Sequence, residues 1–141
     1  WNYPSVDDCI ADLTRLIREK PIDVGVIGIG ENTHIAFNDP PADFDTTAAY
    51  KVVDLDDACR RQQLGEGWFP TIDDVPRQAI SMTVYQIMSC RRIVSPVPYA
   101  VKADAIYKVV TSDVSNLVPA TILKTHPDAT TFIDQDSGAL V

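Results

Sequence analysis

The feature that most constrains the fold is a short, unbroken apolar run at residues 22–29, IDVGVIGI. A run of this kind is typical of a strand buried on both faces, as in a parallel sheet covered by helices. It follows a segment at residues 6–20 in which apolar side chains recur at helical spacing, after Ser5 as N-cap and before Pro21. A helix followed by a buried strand predicts an α/β architecture, with a mostly parallel sheet flanked by helices.

The rest of the chain continues this alternation of helix and strand patterns. The patterns predict strands at 51–55, 93–97 and 130–133, a strand followed by a helix within 77–89, and helices at 56–63, 101–110 and 119–125. Two turn-rich loops, 30–45 and 64–76, are too long to be plain connectors, and such loops often carry function. Because there is no internal repeat or linker composition, we expect residues 1–141 to form a single α/β domain.

Composition excludes several classes of protein. The formal net charge is −8 and the sequence pI is about 4.5, so a nucleic-acid backbone is not an expected partner. No apolar run approaches the length of roughly 20 residues that a membrane helix needs, and no secretory signal precedes the first helix. The three cysteines fit no disulfide framework, which favours free thiols in a reducing cytoplasm.

Candidate catalytic residues concentrate directly after the apolar run, in the segment GIGENTHIAFNDP. Ligands of α/β sheets bind beyond the carboxyl ends of strands, so the position suits a site. His34 and Asp39 could form an acid–base pair, and the Asn32 amide could donate to a substrate oxygen. Gly30 would let the backbone approach a ligand closely. The alternative is that His34 is a structural hydrogen-bonding residue.

Other catalytic motifs are missing from the sequence. The position that should hold the third glycine of a dinucleotide-binding fingerprint is Thr33. There is no G-x-S-x-G elbow and no H-E-x-x-H motif. Since the chain has only two histidines, it offers little material for a zinc site. We therefore expect neither a bound metal nor an organic cofactor.

The segment GIGENTHIAFNDP resembles the active-site signature of the glucosamine-6-phosphate deaminase/isomerase family. Further segments resemble that family in the same order along the chain, namely KVVDL at 51–55, VPRQAISM at 75–82, the Lys102-Ala103 pair and PATILKTHP at 119–127. The related 6-phosphogluconolactonases share the fold but carry a different motif at the histidine. Together the matches span nearly the whole chain.

The resemblance implies a role for particular residues. Family members open the ring of glucosamine 6-phosphate, isomerise the sugar and release ammonia, in amino-sugar metabolism. At the matching positions, His34 would catalyse ring opening, Asp39 and Asn32 would position and tune it, and Lys102 would bind the substrate phosphate. The implied partner is a small phosphorylated sugar, and the implied chemistry needs no cofactor.

The departures from the family pattern suggest alternatives. Thr33 replaces a glycine, Asp39 replaces a longer glutamate, and Glu66-Gly67 stands where an arginine is expected before Trp68-Phe69. The chain begins with Trp1 rather than Met and resembles only the C-terminal half of the family domain. The other half carries a glycine-rich phosphate loop and the proton-shuttling aspartate. We therefore expect a fragment that does not deaminate by itself and that forms homo-oligomers through an uncovered sheet.

Two other functions remain open on the sequence alone. One is a non-catalytic domain that binds a sugar phosphate or serves in assembly, and the other is a relative that acts on another phosphosugar or a lactone. Outside the motif, residues 60–63 are expected to be a solvated helix end, and Trp68 and Phe69 to pack in the core or at a subunit contact. Cys59 and Cys90 are expected to be buried structural thiols, and His126 a structural cap.

Overall fold

The computed structural model describes residues 2–141. Four α-helices lie within this part of the chain, with 3₁₀ helices at Ala100–Lys102 and Pro119–Thr125. The helices are α1 (Val6–Ile17), α2 (Asp57–Gly65), α3 (Val84–Met88) and α4 (Ala103–Thr111). The strands are β1 (Val24–Val26), β2 (Tyr50–Asp54), β3 (Gln78–Met82), β4 (Arg92–Val97) and β5 (Ala129–Ile133).

The strands form a parallel sheet and a separate antiparallel pair. The parallel sheet has the order β1-β4-β5, with Gly25 opposite Ile93 and Ser95 opposite Thr131. β2 pairs with β3 in antiparallel fashion. The predicted class, α/β with a mostly parallel sheet flanked by helices, is confirmed.

The hydrophobic core lies around the central strand β4. Ile93 and Val97 of this strand are buried against side chains from α3, α4 and the second 3₁₀ helix. Ile29 and Ile35, which lie within the signature loop (residues 28–40), belong to the same cluster. The first half of the loop is therefore anchored in the core of the sheet.

Three sequence predictions need correction in detail. The strand predicted at 22–29 is formed only at Val24–Val26, and it is not buried on both faces, because Val24 is 52% and Val26 69% exposed. β1 is an edge strand within the described residues, with β4 as its hydrogen-bonded neighbour, so its outer side has no cover there. Helix α1 ends at Ile17 rather than Lys20, and the segment at 119–125 is a 3₁₀ helix.

Candidate active site

The signature loop begins with a tight turn held by backbone hydrogen bonds. The Gly30 N–H donates to the His34 carbonyl, and the Thr33 N–H donates to the Gly30 carbonyl, both at 2.9 Å. The Thr33 carbonyl accepts from the Ala120 N–H at 3.0 Å, which ties the turn to the second 3₁₀ helix. Thr33 has φ of +72°, in the left-handed region that disfavours a β-branched residue. Glycine, which is usual at this position in the family that the segment resembles, would adopt this φ without strain.

The second half of the loop is tied to the end of β3. The Asn38 amide nitrogen donates to the carbonyls of Ile35 at 2.8 Å and Met82 at 2.9 Å. The Phe37 N–H donates to the Ser81 hydroxyl at 3.0 Å. Because Asn38 is buried and both its partners are backbone groups, it holds the loop against the end of β3 rather than binding a substrate.

His34, Asp39 and Asn32 are brought together as the sequence predicted. His34 Nδ1 lies 2.9 Å from Asp39 Oδ1, a close contact whose angle departs from an aligned hydrogen bond. The Asn32 amide nitrogen donates to the same Asp39 oxygen at 3.0 Å, and its carbonyl oxygen accepts from the His34 N–H at 3.1 Å. The His34 side chain is 8% exposed. With Nδ1 turned toward the carboxylate, Nε2 is the ring nitrogen left for a substrate.

Asp39 is held in its ionised form. Burial by itself raises the pKa of a carboxyl group, but donors from His34, Asn32 and the Asp56 backbone outweigh it and leave the pKa of Asp39 below its usual value. The Asp56 N–H donates to Asp39 Oδ2 at 3.1 Å. An ionised Asp39 can orient the imidazole and stabilise its protonated form.

The start of α2 packs beneath the His34–Asp39 pair. The sequence did not predict this contact. Asp56 is the N-cap of α2, where one of its carboxylate oxygens accepts from the Cys59 N–H at 2.6 Å and the other from the Asn32 amide at 3.0 Å. Cys59 is fully buried, and its thiol sulfur lies within 4.8 Å of an Asp39 carboxylate oxygen. Burial and the neighbouring carboxylates Asp39, Asp56 and Glu66 raise the pKa of Cys59 to about 12. The buried thiol predicted for Cys59 therefore lies beside the catalytic candidates.

His34, Asp39 and Cys59 also group three atoms of metal-binding type within 4.8 Å of one another. Both oxygens of Asp39 already accept hydrogen bonds, from Asn32 and from the Asp56 N–H, so this carboxylate is engaged within the fold. The arrangement fits a hydrogen-bonded acid–base group better than a metal centre.

Gly30 is required by the position of the imidazole. A Cβ atom built on Gly30 would lie 2.3 Å from Nε2 of His34, far inside contact distance. From the sequence, Gly30 was expected to let a ligand approach the backbone. The structure gives this glycine another reason, since the histidine ring itself occupies the space a side chain would take.

An open cavity of about 1140 Å³ lies beside the loop. His34, Gly30 and Lys102 line it, whereas Asn32 and Asp39 lie behind His34 and do not. Lys102 immediately precedes α4, as the sequence predicted, and Tyr99 beside it has φ of +82° and is 68% exposed. The cavity lining thus includes both an imidazole and an ammonium group.

The wall near the end of α2 corrects the prediction for residues 60–63 and one of the two alternatives for Trp68, while a subunit contact of Trp68 stays a prediction. Arg60 and Gln62 are buried rather than solvated, and Arg60 donates to the carbonyls of Ile72 and Val75 in the second long loop. Trp68 is not in the core. It is 69% exposed and lines the cavity together with Gln62 and Glu66.

His126 lies away from this cavity and hydrogen-bonds within the fold. Its Nε2 donates to the Cys90 carbonyl at 2.8 Å, and its Nδ1 accepts from the Asp128 N–H at 3.1 Å. These contacts fit the structural role predicted for His126. Cys90 is buried, also as predicted.

Comparison with known proteins follows the sequence pattern. No protein-family model matches the chain. The glucosamine-6-phosphate deaminase of Oenococcus oeni is 37% identical over 127 residues, which are 90% of this chain and 52% of that protein. The chain therefore spans about half the length of the curated relatives it matches. Within the described residues, no helix is long and apolar enough to cross a membrane.

Solved structures agree with this relationship. A monomeric glucosamine-6-phosphate deaminase superposes with a TM-score of 0.90 and 31% identity, over 99% of this chain and 57% of that one. The 6-phosphogluconolactonase of Trypanosoma brucei shares the fold alone, with a TM-score of 0.63 and 14% identity over 96% of this chain and 54% of its own. By sequence over nine-tenths of its length and by fold, the chain is homologous to the glucosamine-6-phosphate deaminase family, of whose members it spans about half.

Proposed function

We propose that this chain forms the part of a glucosamine-6-phosphate deaminase that opens the sugar ring and holds the phosphate. The observation that carries the proposal is the His34–Asp39 pair, at 2.9 Å, on the wall of a cavity that also contains Lys102. The deaminase relatives support the choice of substrate.

In the proposed ring opening, His34 moves protons at the anomeric centre. Nε2 takes the proton of the C1 hydroxyl as the C1–O5 bond breaks, and the electron pair of that bond passes to O5. A proton delivered through the imidazole completes the new hydroxyl at O5. Asp39, ionised and fixed by Asn32 and the start of α2, stabilises the imidazolium that forms between these two transfers.

Lys102 is proposed to bind the phosphate of the open or closed sugar. Its ammonium group makes no ion pair with another described residue. It ends the 3₁₀ turn Ala100–Lys102 that leads into α4, so its charge stands near the positive end of the α4 dipole. A dianionic phosphate suits this combination of charge and dipole.

Deamination requires a further proton transfer, between C2 and C1, and hence a further base. Asp43 and Asp45, the carboxylates that follow the signature segment in the chain, do not line the cavity that contains His34. We therefore propose that the 141-residue chain alone opens the ring without releasing ammonia.

The two steps can be measured separately on this chain. Ring opening interconverts the α and β anomers of glucosamine 6-phosphate, and exchange NMR follows that rate. We expect the chain to accelerate anomer exchange and His34→Gln to slow the accelerated rate by at least about 100-fold, the usual contribution of a general acid–base group. His126→Gln, at the chain's other histidine, serves as the control and should keep the acceleration.

Three outcomes are informative. Binding of the sugar without faster anomer exchange would favour the alternative of a non-catalytic sugar-phosphate domain. Sustained ammonia release by the 141-residue chain would contradict our placement of the base. Equal rates for the wild-type and His34→Gln chains would remove His34 from the mechanism.

We also propose that the chain acts in the cytoplasm and self-associates. All three cysteines are free and buried, which suits a reducing compartment. The exposed edge strand β1, with Val24 and Val26 facing outward, offers a surface for a second copy. Light scattering of the purified chain would test self-association. A stable monomer, the state reported for the deaminase that superposes on this chain, would contradict self-association.

A further inference from the structure

The cavity lining near the end of α2 contains a carboxylate fixed by a chain of hydrogen bonds. Gln62, which is 9% exposed, accepts from the Glu31 N–H at 3.0 Å and donates to Glu66 Oε1 at 2.8 Å. The other Glu66 oxygen accepts from the Trp68 indole N–H at 3.0 Å. Glu66 is thereby held between a buried amide and an exposed indole, and all three side chains line the cavity.

This corner of the cavity favours a cation. Glu66 is the C-cap of α2, where the helix dipole places partial negative charge, and the last turn of α2 holds no basic residue to offset it. Among residues 2–141, Glu66 makes no ion pair. Both its carboxylate oxygens keep a lone pair beyond the single hydrogen bond each accepts.

We propose that Glu66 is a specificity-determining residue that selects a sugar phosphate with a protonated amine over one with a hydroxyl at the same carbon. The proposal rests on the proposed function, since it concerns the substrate of the same cavity. A sugar phosphate spanning the cavity places its dianion at Lys102 and its ammonium group at Glu66. Charges of both signs on the ligand then meet opposite charges on the protein.

The other carboxylates near the site are less suited to this role. Asp39 lies behind His34, outside the cavity lining, and its oxygens are taken by Asn32, His34 and the Asp56 N–H. Glu31 lines the cavity, but no hydrogen bond or ion pair fixes its carboxylate among the described residues. Glu66 is the carboxylate on this wall whose orientation is set before the ligand arrives.

The test compares two unreactive probes, 2-amino-2-deoxyglucitol 6-phosphate and glucitol 6-phosphate. These alditols have no anomeric carbon, so the chain cannot open or isomerise them, and they differ only in amine or hydroxyl at C2. Calorimetry at neutral pH gives the dissociation constant of each. We expect the wild-type chain to bind the amine at least about fivefold more tightly, the gain typical of a charge-assisted contact at a partly exposed site.

Three variants separate charge from packing. Glu66→Gln removes the charge, and we expect it to bring the two dissociation constants within about twofold of each other, by weakening the amine probe alone. Trp68→Phe removes the indole donor but leaves the Glu66 charge, and it should weaken both probes while keeping most of the preference. Asp73→Asn makes the same charge change on an exposed residue outside the cavity lining and should keep the wild-type preference.

The failure of this inference differs from the failure of the proposed function. If Glu66→Gln weakens both probes equally, or if the wild-type chain shows no preference, selection by Glu66 is overturned while the sugar-phosphate site stands. If Asp73→Asn abolishes the preference as Glu66→Gln does, the effect is one of overall charge and the inference is again overturned. If neither probe binds the wild-type chain, the proposed function fails and the inference fails with it.

Discussion

The two sides of the cavity are built differently. On the side of His34, the functional groups are buried or half-buried and are fixed by neighbours from three elements: the loop itself, the start of α2 and the second 3₁₀ helix. On the other side, Lys102 projects without an ion pair, beside the exposed Tyr99. The difference suits the proposed roles, because proton transfer needs a rigid group, whereas a phosphate can be bound by a charge that no ion pair holds.

The largest effect is expected from a substitution of Gly30, on the rigid side of the cavity that contains His34. Gly30→Ala places a methyl group where Nε2 of His34 now lies, so the imidazole must leave its position against Asp39. We expect catalysed anomer exchange to fall by about 100-fold or more, as for loss of a general acid–base group. NMR of the histidine side chains would show the His34 resonances displaced.

Gly28→Ala is the matched control for this change. A Cβ on Gly28 meets nothing within 4 Å, so the added methyl group should leave the His34 resonances in place. If both variants move His34 equally, the local contact at Gly30 is not what fixes the ring.

Much of this arrangement follows from the sequence, because its signals are local. The α/β alternation, the loop after the first strand and the grouping of Asn32, His34 and Asp39 are all carried by residues close together in the chain. The contacts that sequence reasoning missed join distant segments. Asp56 and Cys59 reach Asp39 only because α2 begins beneath the loop, and no local pattern marks that approach.

Burial was the other source of error. A continuous apolar run predicted a strand covered on both faces, yet β1 is an edge strand with Val26 exposed. Conversely, the polar run at 60–63 predicted a solvated helix end, although Arg60 is buried and donates to two loop carbonyls. Sequence composition reports what a residue prefers, while burial depends on which elements pack over it.

An intermediate effect is expected from a change at Lys102, on the other side of the cavity. Lys102→Ala removes a charge-assisted contact, so binding of glucitol 6-phosphate should weaken by roughly tenfold or more, corresponding to about 1.5–3 kcal/mol. Binding of unphosphorylated glucitol should not change. Lys108→Ala, on the same helix but outside the cavity lining, is the control for loss of positive charge. Calorimetry that shows equal losses for Lys102→Ala and Lys108→Ala would refute a specific phosphate contact.

The smallest expected effect concerns the Cys59 thiol beneath the rigid side, and it depends on pH. Burial first, and then the nearby carboxylates, raise the pKa of this thiol from 9.0 to about 12 in the folded chain. The folded state therefore keeps a proton that the unfolded chain releases, and the resulting stability is complete below the unfolded pKa. It is lost as pH rises from about 9 toward 12, by at most about 1.4 kcal/mol per pH unit.

Cys59→Ser removes this titration while keeping a hydroxyl that can donate to Asp39. Urea unfolding at pH 8 and pH 10 should therefore show a smaller alkaline loss of unfolding free energy in the variant than in the wild-type chain, by about 1 kcal/mol. Cys9→Ser removes a buried thiol on α1, away from the carboxylates, and controls for the loss of a sulfur atom. If Cys59→Ser and the wild-type chain lose the same free energy between the two pH values, the thiol does not stay protonated against Asp39, and the rigid side of the cavity is less closely packed than its hydrogen bonds indicate.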